Sequence, residues 1–94
     1  MLQVKIIGDA IVGNTLFART ETNEGQSVVG YSWLRGSSRG GKFAVIPLAT
    51  SDSYTLTPAD EHQYIRCKVV CDNNDYAESN TAGPVAPITI GPGR

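Results

Sequence analysis

One histidine and two cysteines are the residues best suited to chemistry here, since His62, Cys67 and Cys71 offer the nitrogen and thiolate donors that zinc takes. A closed zinc site needs four such ligands, and His62 falls in a turn at the wrong parity to meet two cysteines of one strand. A catalytic thiol needs an electropositive, partly exposed setting. Cys67 instead belongs to an apolar stretch and is expected to act as a small hydrophobe. No serine stands in a recognisable nucleophile motif beside the lone histidine. Asp72, Asn73, Asn74 and Asp75 supply oxygen ligands of the kind calcium prefers, but the run lacks the spacing and the distal glutamate of an EF-hand loop. Asn and Asp enter left-handed turn conformations readily, so the run predicts a hairpin turn. No metal or cofactor is expected, and the chain reads as non-catalytic. One charge cluster remains: Arg35, Arg39 and Lys42 surround a glycine-rich loop with no acid among them. Such a patch suits an acidic protein partner, against the ordinary reading of a solvated hairpin loop. If it is a contact, replacing all three by alanine should weaken binding and flatten its salt dependence.

These residues have to be positioned by a small scaffold. With 94 residues, 40% hydrophobic and 18% charged, the chain has the composition of one globular domain and is too short for a deep cleft between lobes. Its formal charge of -1 provides no field for nucleic acid. No run approaches the roughly 20 apolar residues of a membrane helix, and residues 1–8 lack the apolar stretch of a secretion signal. Four residues along a strand, Cys67 and Cys71 lie roughly 13 Å apart, beyond the ~7 Å between Cα atoms that a disulfide allows. A chain without an internal staple points to a reducing compartment.

Apolar residues do not recur at helical spacing; the dominant period is two. Residues 2–6 alternate, and 14–20 place Leu16 and Ala18 on one face with Phe17 and Arg19 on the other. Residues 28–35 group Val29, Tyr31 and Trp33 against Gly30, Ser32 and Leu34. Short strands follow at 42–46, closed by Pro47, and at 52–57, where Tyr54 and Leu56 share a face before Pro58. Ile65, Cys67, Val69 and Cys71 alternate with Arg66 and Lys68 in the clearest half-buried pattern. A ragged seventh strand is expected over 76–90, held to an edge by Pro84 and Pro87. One helical turn is predicted from Pro58, with Thr57 as N-cap and acids in the first turn. Seven short strands at about ten-residue spacing predict an all-β, antiparallel β-sandwich over residues 1–90, with 91–94 as a linker or tail. Leu16, Ala18, Tyr31, Trp33, Tyr54, Leu56, Ile65, Cys67 and Val69 form the expected core. A Trp-centred aromatic group could line a ligand pocket, but its position in the third strand suits a core plug.

Several phrases carry a family likeness: Val12-Gly13-Asn14-Thr15-Leu16, Tyr31-Ser32-Trp33-Leu34-Arg35, Ile46-Pro47-Leu48-Ala49-Thr50-Ser51, Tyr54-Thr55-Leu56-Thr57 and Ile65-Arg66-Cys67-Lys68-Val69. Over residues 4–88 the chain resembles the immunoglobulin-like repeat of the plant and protist microtubule-associated protein first described as auxin-induced in root cultures. More loosely, it resembles immunoglobulin-like repeats of bacterial surface proteins. The resemblance implies a seven-stranded immunoglobulin-like sandwich without the inter-sheet disulfide, because Leu16 or Ala18 stands where an antibody-type domain places the partner of Cys67. It departs from the repeat at His62, where the family usually has glycine. The implied function is a spacer or protein-docking module of a cytoplasmic, cytoskeletal protein, flanked by similar repeats, with tubulin a possible partner. The alternative is an adhesion or capsid-decoration module at a cell surface or virion.

Overall fold

The computed structural model describes residues 2–88 and shows an immunoglobulin-like sandwich of two antiparallel sheets. Its seven strands are β1 (Gln3–Ile7), β2 (Thr15–Glu21), β3 (Val28–Gly36), β4 (Phe43–Val45), β5 (Ser53–Thr55), β6 (Tyr64–Cys71) and β7 (Tyr76–Glu78). The first sheet has the order β1-β2-β5 and the second β4-β3-β6-β7. The chain passes between the sheets at β2–β3, β4–β5 and β5–β6, whereas β1–β2, β3–β4 and β6–β7 pair within one sheet.

The period of two explains what each strand buries. Along β6, Ile65, Cys67, Val69 and Cys71 are buried in strict alternation; Ile65, Cys67 and Val69 join the core with Trp33 of the neighbouring strand β3 and with Leu16 of β2 from the opposite sheet. Leu16, Trp33, Leu56, Ile65, Cys67 and Val69 make the centre of the core, while Ala18, Tyr31 and Tyr54 pack on it from partly open positions. Val4, Ile6, Val12, Ile46 and Val85 complete it. Trp33 has no exposed surface, stacks on Tyr54 with ring centroids 5.7 Å apart and donates its indole N–H to the Ser51 carbonyl at 2.8 Å. The cysteines are buried and unpaired.

Two expectations need correcting. Val29 does not join Tyr31 and Trp33: the ladder between β3 and β6 shifts register between Val28 and Gly30, which leaves Val29 65% exposed and lets Val28 pack on the core instead. A bulge inserts one extra residue and so inverts the parity that simple alternation assigns before it. The seventh strand does not run through 76–90: β7 ends at Glu78, and residues 89 and 90 lie outside the described residues. Beyond β7 the chain follows β6 through broken contacts. Ala82 exchanges hydrogen bonds with Ile65, Val85 with Gln63 and His62, and Ala86 then crosses to Ala10 and Val12 in the segment that links β1 to β2. In the gap the side-chain oxygen of Asn80, an exposed residue, accepts the Ile6 amide at 3.0 Å, satisfying a donor on the open edge of β1. Gly83 is needed where it stands. Its φ is +115° and a Cβ there would lie 2.8 Å from the Gln63 carbonyl.

The predicted turn is a single 3-10 turn, Pro58–Asp60, after Thr57 in extended conformation. It delivers the chain to His62, whose φ of 67° is left-handed. Left-handed backbone costs a non-glycine residue roughly 1–2 kcal/mol, and glycine returns about 0.5–1 of that through its greater freedom when unfolded. The exposed His62–Glu61 pair at 3.3 Å offers little in compensation. His62→Gly is therefore expected to raise the thermal midpoint by a few degrees in scanning calorimetry; a lower midpoint would contradict a strained turn.

Candidate docking surfaces

The main polar cluster inside the molecule is built around Asp60, which has no exposed surface. As the third residue of its turn it reaches back to accept the Thr57 amide at 2.8 Å, the reciprocal half of a capping box. The same carboxylate accepts the Tyr54 hydroxyl at 2.6 Å and the Thr57 hydroxyl at 3.2 Å. Its other oxygen takes the Arg35 guanidinium at 2.7 Å. Burial alone would push the Asp60 carboxyl up, but the Tyr54 hydroxyl, the Thr57 amide and Arg35 outweigh it and hold the group below its ordinary value. Burial and the adjacent Asp60 push the Tyr54 phenol up to about 12. This cluster ties β3, β5 and the 3-10 turn together, and each polar atom of the carboxylate is spoken for.

Arg35 thus belongs to the interior. It shares the parity of Tyr31 and Trp33 on β3, so it enters the sandwich beside the core instead of the loop surface. The basic patch expected at Arg35, Arg39 and Lys42 is accordingly divided. Arg39 donates to the carbonyls of Thr81 and Gly83 at 3.3 and 2.8 Å and lies over the Tyr64 ring. Arg66 reinforces the same junction, donating to the Arg39 carbonyl and the Thr81 hydroxyl with its guanidinium 4.1 Å from the Phe43 ring centroid. Of the three, Lys42 is the one whose side chain is exposed with no ion pair or hydrogen bond to another described residue. The loop cations fasten residues 37–42 and 81–83 to the four-stranded sheet and do not converge on a common free surface.

The other chemistry-bearing residues are also separated. His62 is exposed on its turn, whereas burial pushes the Cys67 thiol up to about 12, far from a reactive thiolate. Among the described residues no three of His, Cys, Asp and Glu converge as metal ligands would. The 72–75 run is a hairpin turn with Asn74 left-handed at φ 70°, and Gln26 donates to both Asn73 and Asp75 across it.

Two sheet faces remain. On the outer face of the four-stranded sheet Arg66 covers Phe43, and Lys68 covers Tyr76 at 4.6 Å while standing opposite Glu78. Cations and rings there largely satisfy one another. On the outer face of the three-stranded sheet the register sets Gln3 opposite Glu21, Lys5 opposite Arg19 and Ile7 opposite Phe17. Gln3, Lys5, Ile7, Arg19 and Glu21 line a shallow groove of about 270 Å³ there. Sequence reading grouped Phe17 and Arg19 on one face but missed Lys5, because the pairing appears only when β1 and β2 are set in register.

The topology and the tryptophan-centred core define the class of protein, an immunoglobulin-like β-sandwich lacking the inter-sheet disulfide. In comparisons with known proteins no family model matches the chain, and no curated protein matches it in sequence.

Proposed function

We propose that the chain is a non-catalytic immunoglobulin-like module that serves as a spacer or protein-docking unit in a larger cytoskeleton-associated protein, beside further modules of its kind. One observation supports it most. Of the groups able to do chemistry, Asp60 and Cys67 are buried and the partly buried Tyr54 and Arg35 are tied to Asp60 by hydrogen bonds, while large apolar side chains such as Phe17, Val29, Val45 and Tyr76 stand exposed. Exposed apolar groups on a rigid sheet scaffold suit contact with another macromolecule. The cytoskeletal assignment, and with it a cytoplasmic location, rests on the sequence resemblance alone.

Single modules of this size bind weakly, and tandem copies gain by avidity. The test is co-sedimentation with polymerised microtubules of the single chain and of three copies in tandem, using whole tubulin and tubulin stripped of its acidic tails. The tandem is expected to pellet more completely than the single chain and to lose that advantage on stripped tubulin. If neither pellets above its own background, the microtubule assignment fails.

A further inference from the structure

We infer that the outer face of the three-stranded sheet is a docking site for an extended acidic peptide of a partner protein, one that carries a carboxylate and, two residues away, an apolar side chain. The inference deepens the docking role proposed above and rests on it.

The first observation is electrostatic. Lys5 and Arg19 are direct cross-strand partners, both exposed, and neither side chain has an ion pair or hydrogen bond with another described residue. Like charges directly opposite one another on a sheet repel. A carboxylate set between them would relieve that repulsion, with the guanidinium able to hold both oxygens at once. By contrast, the cations of the other sheet, Arg39, Arg66 and Lys68, are each spread over an aromatic ring of the chain itself. Apart from Lys42 in the loop before β4, the cations left uncovered among the described residues are those of β1 and β2.

The second observation is apolar and adjacent. Ile7 and Phe17 form the next cross-strand pair on the same face, 41% and 54% exposed. Neighbouring pairs on one face are two residues apart, about 7 Å at strand rise. An extended peptide has the same repeat. A carboxylate on the Lys5–Arg19 pair therefore places the side chain two positions on over Ile7 and Phe17. Glu21, beside Gln3 at the far end of the groove, disfavours a continuous polyanion, since a chain of phosphates or sulfates would meet a carboxylate after one contact. A peptide with spaced acids avoids it.

The test is selection of a random dodecapeptide library on the intact chain, followed by fluorescence anisotropy with the recovered peptides and with heparin. The expected result is enrichment of Asp or Glu with an apolar residue two positions away. Lys5→Gln with Arg19→Gln should then weaken those peptides at least about tenfold while leaving the thermal midpoint unchanged or higher, and Phe17→Ser should weaken them without removing the salt dependence. Peptides of another chemistry, no enrichment, or equal affinity for the double variant would overturn the inference. So would heparin binding as tightly as the peptides with the same dependence on Lys5 and Arg19, which would make the face a general polyanion surface. Microtubule co-sedimentation is scored separately, so a chain that selects acidic peptides yet ignores tubulin keeps the site and loses the cytoskeletal assignment.

Discussion

Asp60→Ala is expected to destabilise the fold by about 3 kcal/mol, a large share of the 5–15 kcal/mol that holds a small domain together. Removing one member of a buried ion pair costs about 3–5 kcal/mol because the partner charge is stranded. Here the Arg35 side chain is 32% exposed and can recover some hydration, which argues for the low end. The Tyr54 hydroxyl and the Thr57 amide lose their acceptor at the same time. For a domain of this size about 3 kcal/mol corresponds to a fall of roughly 12–24 °C in the thermal midpoint. A fall under about 5 °C would show that the cluster contributes little. The pH dependence follows from the same contacts. Asp60 has its carboxyl held below the ordinary value, so its contribution is present above the unfolded value near 4 and is lost as pH falls through the folded one. Urea midpoints should therefore drop on acidification below about pH 4, and Asp60→Asn should flatten that limb. The Tyr54 phenol, at about 12, contributes stability that is complete below its unfolded value near 10 and is lost as pH rises toward 12. Cys67, also at about 12, titrates in the same range, so Tyr54→Phe should remove only part of the alkaline limb.

Trp33→Ala is expected to cost more, about 4 kcal/mol, since deleting a buried aromatic removes its transfer energy and leaves a cavity between the sheets. Trp33 touches both halves of the sandwich: it belongs to β3, stacks on Tyr54 of β5 and bonds the Ser51 carbonyl in the crossing loop. Trp33→Phe keeps a ring but loses the indole hydrogen bond, and should cost about 1–2 kcal/mol through that bond and the lost volume. The chain has one tryptophan, so its fluorescence reports this core directly. Native emission should be blue-shifted and shift red on unfolding. A Trp33→Ala variant with an unchanged urea midpoint would contradict a core centred on this residue.

What could be read before the structure was whatever depends on local period. The alternation through Ile65, Cys67, Val69 and Cys71 exposes one buried face, and Thr57-Pro58 announces a short turn, because both signals lie within a few consecutive residues. Three features escaped because they depend on register or on distant partners. The bulge after Val28 reverses parity, and its one local sign, Gly30 within the strand, does not by itself say that the residue before it drops out of register. Proximity in the chain groups Arg35 with Arg39 and Lys42, whereas its spacing from Tyr31 and Trp33 places it on the inward face. The acid at the third position of the Thr57 turn was visible, but its burial depends on Tyr54 and Arg35 arriving from two different strands. Lys5 and Arg19 sit on opposite sides of the irregular 8–14 segment, and nothing in either strand alone shows that they face each other.

The cations divide their labour: Arg35 and Arg39 hold the fold together, and Lys5 and Arg19 of β1 and β2 are the ones proposed to receive a partner. This division is tested most directly by measuring two variants side by side, Arg35→Ala/Arg39→Ala/Lys42→Ala and Lys5→Gln/Arg19→Gln, for thermal midpoint and for affinity toward the selected acidic peptides. The expected result is a lowered midpoint with retained peptide affinity for the loop variant, and an unchanged or higher midpoint with affinity weakened at least about tenfold for the sheet variant. The reverse pattern, a stable loop variant that no longer binds and a sheet variant that binds normally, would contradict it.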